Sequence, residues 1–299
     1  MITTLNLKEN DTIIVEDPTY FVAPPIFKDY NYNLVSVPME KDGMNLEILE
    51  KKLKETNAKL VYTIPIYHNP TGIILSIEKR KKLIKLSQKY NFKIIADEVY
   101  QHLYFDENEP PPSDLCSFDD CKTGGTVYSV GSFSKTICPG MRIGWIQVNP
   151  NSNLIKKFIS CGTLFSGGGL NSYTSLIINT SIELNLYDEH LNILKKEYSE
   201  RLSILCNSLK KLDGEKNLFQ FDKPKGGYFL WIKLNDSINI DLFELNLIKN
   251  QIEIMFGNKN SIELNSFPNY IRLCFAYVDK KDLIEGSKRI CISAIESLN

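Results

Sequence analysis

The chain reads as an α/β protein: a mostly parallel sheet covered by helices, followed by a smaller C-terminal α+β domain. Three observations predict this. Short β-branched runs alternate with helical patterns through the first half. The run Ile94-Ile95-Ala96 is apolar throughout, as suits a strand covered on both faces. Past Pro150 the alternation gives way to a long helical stretch and a few extended segments. With 299 residues, 43% of them hydrophobic, the chain can bury the core of one large or two medium domains.

Strands are expected at Thr12–Val15, Leu34–Val37, Lys59–Ile64, Lys93–Ala96, Thr126–Val130 and Ile143–Val148, where β-branched and aromatic side chains fit a pleated surface. Helices are expected between them at Tyr20–Tyr30, Asn45–Thr56 and Ile77–Tyr90. The last begins after Ser76 and carries Glu78 in its first turn with basic residues close behind, an order the helix dipole favours. Further on, a helix is expected from about Leu184 to Leu212, an extended run at Gly226–Leu234, a helix near Asp241–Gln251 and a strand at Tyr270–Phe275. The two domains are expected as residues 1–170 and 171–299, meeting at Gly167-Gly168-Gly169, where three glycines break the pattern.

The formal net charge of -1, with no basic face or tail, argues against nucleic acid or an anionic membrane as partner. No apolar run reaches the roughly 18 residues of a membrane span, and Met1–Lys8 lacks the basic start and cleavage site of a signal peptide. A cytoplasmic location is therefore expected. Seven scattered cysteines without a Cys-x-x-Cys pair fit reduced core thiols. The three histidines, His68, His102 and His190, are too separated for a metal cluster, so no metal is expected. Demanding chemistry would have to come from an organic cofactor acting on small-molecule substrates.

The segment Ser129-Val-Gly-Ser132-Phe-Ser134-Lys135 places one lysine after an apolar run, among hydroxyls, with Arg142 seven residues on. A lysine forms a Schiff base with the aldehyde of pyridoxal phosphate only when its amine is partly deprotonated, which burial and a nearby cation favour. The hydroxyls and the arginine suit a phosphate dianion. Alone, such a turn is a weak signal and more often a solvated loop. The polar motifs Pro65–Gly72, Asp97–Tyr100 and Ser132–Lys135 all follow expected strands, however, and ligands of parallel sheets bind at the carboxyl ends of strands.

Five motifs occur in order: Asp17-Pro-Thr-Tyr20, Asn69-Pro-Thr-Gly72, Asp97-Glu-Val-Tyr100, Ser132-Phe-Ser-Lys135 with Arg142-Ile-Gly144, and Tyr270-Ile-Arg272-Leu. On these the chain resembles the class I/II aminotransferases of fold type I, which depend on pyridoxal 5'-phosphate. Glu16–Phe21 and Gly226–Trp231 bring it nearest the aromatic and 2-aminoadipate branch. The resemblance implies that Lys135 forms the Schiff base and later serves as the base at the substrate α-carbon. Asp97 would pair with the pyridine nitrogen, while Asn69 and Tyr100 would donate to the ring's phenolic oxygen. Tyr20 would cover one ring face, and Ser132 and Arg142 would contact the phosphate. Arg272 would grip the substrate carboxylate, and Asn69 is also implied in substrate binding. The implied activity is amino-group transfer between an amino acid and a 2-oxo acid by a homodimer. Two alternatives stay open: a lyase or decarboxylase of the same fold, and a truncated, catalytically weak or inactive module.

Family members carry an N-terminal arm and a glycine/serine phosphate turn ahead of the first motif. With sixteen residues before Asp17, the resemblance implies a large domain lacking its N-terminal part, an open edge beside Ile143–Val148 and a weaker grip on the cofactor phosphate.

Overall fold

The computed structural model describes residues 5–119, 125–152, 154–166, 171–263 and 265–298. Seven strands form the larger sheet: β1 (Thr12–Asp17), β2 (Asn33–Glu40), β3 (Gly43–Met44), β4 (Leu60–Thr63), β5 (Lys93–Asp97), β6 (Val127–Ser132) and β7 (Gly144–Val148). Their order is β3-β2-β1-β4-β5-β6-β7. Strands β2, β1, β4, β5 and β6 pair in parallel, and β3 and β7 add antiparallel edges. The chain runs outward from β1 to β3 and resumes on the other side of β1 with β4. That reversal opens a crevice at the carboxyl ends of β1 and β4.

Side chains alternate across this sheet with the period of two that a strand dictates. Ile13 and Val15 pack on one face with Phe27 of α1 (Ala23–Asp29), while Ile14 packs on the other with Leu49 and Leu53 of α2 (Leu46–Thr56) and Leu83 of α3 (Ile77–Tyr90). Within the run Ile94-Ile95-Ala96, Ile95 belongs to the first layer and its two neighbours to the second. Both faces are covered, which is why the run is apolar throughout. Helix α1 starts three residues later than the sequence suggests, because Pro24 and Pro25 lack amide donors and fit only the first turn. Asn45 and Ser76 cap α2 and α3 by accepting from backbone amides of the first turn.

After β7 the short helices α4 (Leu154–Ile159) and α5 (Gly162–Phe165) lead to α6 (Ser172–Glu183) and the long α7 (Leu186–Asp213). The helix expected from about Leu184 to Leu212 is α7, and α6, which the sequence analysis did not anticipate, precedes it across Asn185, whose φ of 61° is left-handed. A second sheet comprises β8 (Phe219–Gln220), β9 (Phe229–Leu234), β10 (Met255–Phe256) and β11 (Tyr270–Cys274), in the antiparallel order β10-β11-β9-β8. It packs against α7, α8 (Ile240–Lys249) and α9 (Lys280–Ile295) through Leu202, Leu209, Ile232, Phe243, Ile271 and Ile290. The expected domain boundary, at residues 170 and 171, falls on the triple-glycine segment 167–170, which lies outside the described residues. Among the described residues no helix is long and apolar enough to cross a membrane, and Cys138, Cys161, Cys206, Cys274 and Cys291 are free thiols.

Candidate active site

Four strands of the larger sheet deliver the predicted residues. Tyr20 follows β1, and Asn69 lies in the loop after β4. Asp97 ends β5 with Tyr100 in the turn beyond it, while Ser132 ends β6 and Lys135 sits three residues on. Arg272 arrives from β11 of the second sheet.

Asp97 accepts a 2.7 Å hydrogen bond at Oδ2 from the buried Tyr62 hydroxyl, while its Oδ1 is buried without a hydrogen-bond partner. Tyr62 pairs with Ile95 in register, two residues before Asp97, so the two side chains share a face. Burial raises the Asp97 carboxyl above its ordinary range; the Tyr62 hydroxyl, the Val99 amide and the Lys135 charge oppose that rise. A mostly apolar cavity of about 170 Å³, lined by Phe27, Tyr62, Ile95 and Val130, adjoins Tyr20 and Asp97.

Arg272 donates from Nη1 to Asn69 Oδ1 at 2.9 Å. Its guanidinium carbon lies 4.1 Å from the centroid of Phe229 and 5.6 Å from that of Phe21. Nε is buried without a partner. With Nη1 committed to Asn69, the Nε and Nη2 edge is the fork that can take a carboxylate. Asn69 Oδ1 is likewise committed, which makes its NH2 the group that can donate to a ligand.

The Asn69 loop is held from below by buried polar groups. Glu16 accepts from Thr63 Oγ1 at 2.5 Å and from the Ile64 amide at 2.8 Å. His68 Nε2 stands 3.1 Å from Glu16 Oε2, though not aligned as a directed hydrogen bond. On the other side of the ring, His68 Nδ1 meets Thr71 Oγ1 at 2.9 Å. Arg80, also fully buried, donates to the carbonyls of Pro65, Leu75 and Ser113, each at 2.9 Å. Burial lowers its guanidinium to about 10 despite nearby Glu98.

Lys135 lies in the turn between β6 and β7, its Nζ 5.9 Å from the Tyr228 ring centroid. Its carbonyl accepts from the Tyr228 hydroxyl at 2.6 Å. Ser132 Oγ accepts from the Ser134 amide at 3.1 Å. Arg142 is exposed in a left-handed conformation and donates to Pro139 O at 3.3 Å. Among the described residues no contact joins its guanidinium to Ser132 or Lys135, so the structure groups the three in one connection without closing a cup. Tyr100 is buried against Tyr228 and Phe229. Burial, then Asp97 and Tyr20, push its hydroxyl well up, with Arg272 opposing. Tyr20 meets Phe21 edge-on at 5.4 Å, and burial and Asp97 raise its hydroxyl too.

Sequence reasoning assigned no role to Tyr62 or Phe229. A signal for Tyr62 was present: a tyrosine near the end of a strand neighbouring the one that ends in Asp97. Arg272 also borders a larger cleft, about 690 Å³, with Met255, Lys259, Tyr277 and the face of α9. None of the other predicted residues lines that cleft, so its size does not make it the site of the chemistry.

The orphaned atoms name the ligand chemistry. Asp97 Oδ1 suits a ring N–H and Arg272 Nε suits a carboxylate, so the residues present fit pyridoxal phosphate and an amino acid. The chain matches the family model for aminotransferase class I and II over residues 1–290 and belongs to that family, whose fold is pyridoxal phosphate-dependent. It is 30% identical over 303 residues to aromatic-amino-acid aminotransferase 1 of Thermococcus litoralis, covering 98% of this chain and 69% of that one. The uncharacterized HTH-type transcriptional regulator YisV of Bacillus subtilis is 29% identical over 94% of this chain, which spans 56% of the regulator's length. The crystal structure of Pyrococcus horikoshii kynurenine aminotransferase superposes with a TM-score of 0.87 at 29% identity, covering 100% of this chain and 72% of that one.

Proposed function

We propose that the chain is a pyridoxal phosphate-dependent aminotransferase that moves an amino group between an amino acid and a 2-oxo acid. The observation that carries this reading is the Arg272–Asn69 bond, which brings an arginine of the second sheet to the loop after β4, the strand beside the one that ends in Asp97. Aromatic amino acids or 2-aminoadipate are the proposed substrates. The rings of Phe21 and Phe229 against Arg272 support the aromatic choice, as do the names of the Thermococcus and Pyrococcus relatives. A 2-aminoadipate transaminase of Thermus thermophilus, 26% identical over 95% of this chain, supports the other. The proposal extends to a homodimer in the cytoplasm. Exposed Phe165, Tyr173 and Leu176 offer apolar surface for a second copy, and free thiols suit a reducing compartment.

When bound, pyridoxal phosphate supplies an electron sink for the charge that develops at the substrate α-carbon. Lys135 Nζ would hold the cofactor covalently and, when free, would be the base that takes the substrate α-proton. Asp97 Oδ1, buried without a partner, would hold a proton on the ring nitrogen. The Asn69 NH2 and the Tyr100 hydroxyl would donate to the ring oxygen; burial keeps the Tyr100 proton in place for that role. Tyr20 would cover one face of the cofactor ring, and Ser132 and Arg142 are the residues proposed to hold the cofactor phosphate, Arg142 having to turn from the Pro139 carbonyl to do so. The Arg272 fork fixes the α-carboxylate, so that the proton to be removed is presented to Lys135.

The test is a visible spectrum of the purified chain mixed with pyridoxal phosphate. A lysine-linked absorption band lost in Lys135→Ala, and bleached by aromatic amino acids or 2-aminoadipate, is expected. No band, or one that survives Lys135→Ala, overturns the proposal.

A further inference from the structure

The turn that carries Lys135 has little backbone support of its own. Phe133 N donates to Ile143 O at 3.1 Å, and Thr136 N and Ile137 N return to Phe133 O at 3.3 and 2.8 Å. The Lys135 carbonyl takes its hydrogen bond from elsewhere, the Tyr228 hydroxyl at 2.6 Å, across 93 residues of sequence. Tyr228 immediately precedes β9, and the next residue, Phe229, stacks on the Arg272 guanidinium at 4.1 Å. Two successive residues thus reach the two ends of the proposed chemistry, the carboxylate fork and the lysine.

The approach to Tyr228 is rigidly specified. Gly227 has a φ of +77°, and a Cβ there would stand 2.8 Å from Tyr67 Cβ; one on Gly226 would stand 2.4 Å from both Leu103 O and Tyr67 Cζ. Gly227 N donates to Leu103 O at 2.9 Å. The glycine pair therefore lies flat on Tyr67 and aims Tyr228 into a cluster with Tyr100, at 5.3 Å, and Tyr198, at 5.4 Å. Burial raises the Tyr228 hydroxyl far above its ordinary range, so it stays a donor at any working pH.

We propose that Tyr228 is the positioning residue for Lys135, and that the start of β9 couples carboxylate binding at Arg272 to the placement of the lysine amine. This rests on the proposed aminotransferase reading. A carboxylate that pulls on Arg272 pulls on Phe229, and through its neighbour on the main chain that carries the amine.

The test compares the native chain with Tyr228→Phe and Tyr67→Phe, which trims a buried hydroxyl that has no hydrogen-bond partner from the same cluster and leaves the bond to Lys135 in place. In the chain loaded with pyridoxal phosphate, Tyr228→Phe is expected to keep the lysine-linked band. The pH midpoint of that band should move by about half a unit or more, and kcat for an amino acid should fall about tenfold with KM within about threefold, the loss expected of one net hydrogen bond. In the cofactor-free chain, amide exchange over residues 133–137 should quicken about tenfold in Tyr228→Phe alone, since local opening governs that rate. An unmoved midpoint with kcat within about twofold, or the same changes in Tyr67→Phe, overturns the inference. A native chain that forms no band counts against the proposed function instead, and the cofactor-free exchange then decides the inference by itself.

Discussion

The Arg272 guanidinium donates to Asn69 Oδ1 at 2.9 Å, joining residues 203 positions apart and the two sheets of the molecule. The bond orients both partners. It leaves Asn69 its NH2 to offer a ligand and leaves Arg272 its Nε and Nη2 edge, of which Nε is buried without a partner. A lysine at 272 would keep the charge and lose the fork. Arg272→Lys should lower kcat/KM for the amino acid by about one to two orders of magnitude, the worth of a hydrogen bond to a charged group. The lysine-linked cofactor band should persist, with a small shift in position at most, because the fork itself meets substrate and only the Asn69 bond bears on the ring. Steady-state kinetics beside the spectrum checks this; loss of the band would place Arg272 in cofactor binding.

Tyr62 supports Asp97 by donating to Oδ2, a bond that lowers the carboxyl's proton affinity against the burial that raises it. Tyr62→Phe removes that counterweight, so the Asp97 carboxylate should persist only at higher pH. The acid limb of the kcat/KM profile should therefore move upward, and the cofactor should bind about tenfold more weakly, the loss of one charge-assisted bond. Equal effects of Tyr62→Phe in the native and Asp97→Asn backgrounds would show that Tyr62 acts elsewhere.

Much of this site was legible because its residues end strands. Asp97, Ser132 and Lys135 each follow an apolar run of fixed direction, so the run locates the residue. Arg272 could be named but its partner could not, because the bond to Asn69 depends on how two separately built sheets meet. Tyr228 and Tyr62 were harder still: a tyrosine in a core strand looks the same whether its hydroxyl is idle or bound to a reactive neighbour. The fold shows the same division. Alternating runs gave the parallel strands, while α9 escaped notice because Ser287, Cys291 and Ser293 dilute its buried face. The two-residue strands β3, β8 and β10 are too short to carry a period.

Glu16 ties β1 to β4 beneath the crevice, through Thr63, Ile64 and His68. It is 1% exposed and His68 is fully buried. Removing one partner strands the other in a dry interior, whereas replacing a group by a neutral isostere keeps most contacts. Glu16→Ala should cost about 3 kcal/mol or more in urea unfolding, and Glu16→Gln clearly less. Because Glu16 and His68 adjoin Asp17 and Asn69 in the chain, Glu16→Gln should also weaken cofactor binding measurably. A Glu16→Ala protein of native stability would mean that the network carries little of the loop's order.

Glu98 gives the stability of the fold a pH dependence with a definite sign. Its carboxyl is buried, accepts from the Leu115 amide at 2.8 Å, and stands 3.8 Å from Arg80. Burial outweighs these partners and pushes it from 4.5 up to about 7. Between those values the folded chain binds more protons at this residue than the unfolded chain does, so stability falls as pH rises through the window and is fully reduced above about 7. A shift of that size corresponds to ~3 kcal/mol, and burial raises Asp17 and Asp97 in the same direction. Glu98→Gln keeps the acceptor for Leu115 and removes the titration. Urea unfolding of the native chain should give less stability at pH 8 than at pH 5 from this residue, and the gap between native and Glu98→Gln should change by up to ~3 kcal/mol over that range. Parallel pH profiles for the two proteins would show that Glu98 is ionised in the folded state throughout, with Arg80 rather than burial setting its charge.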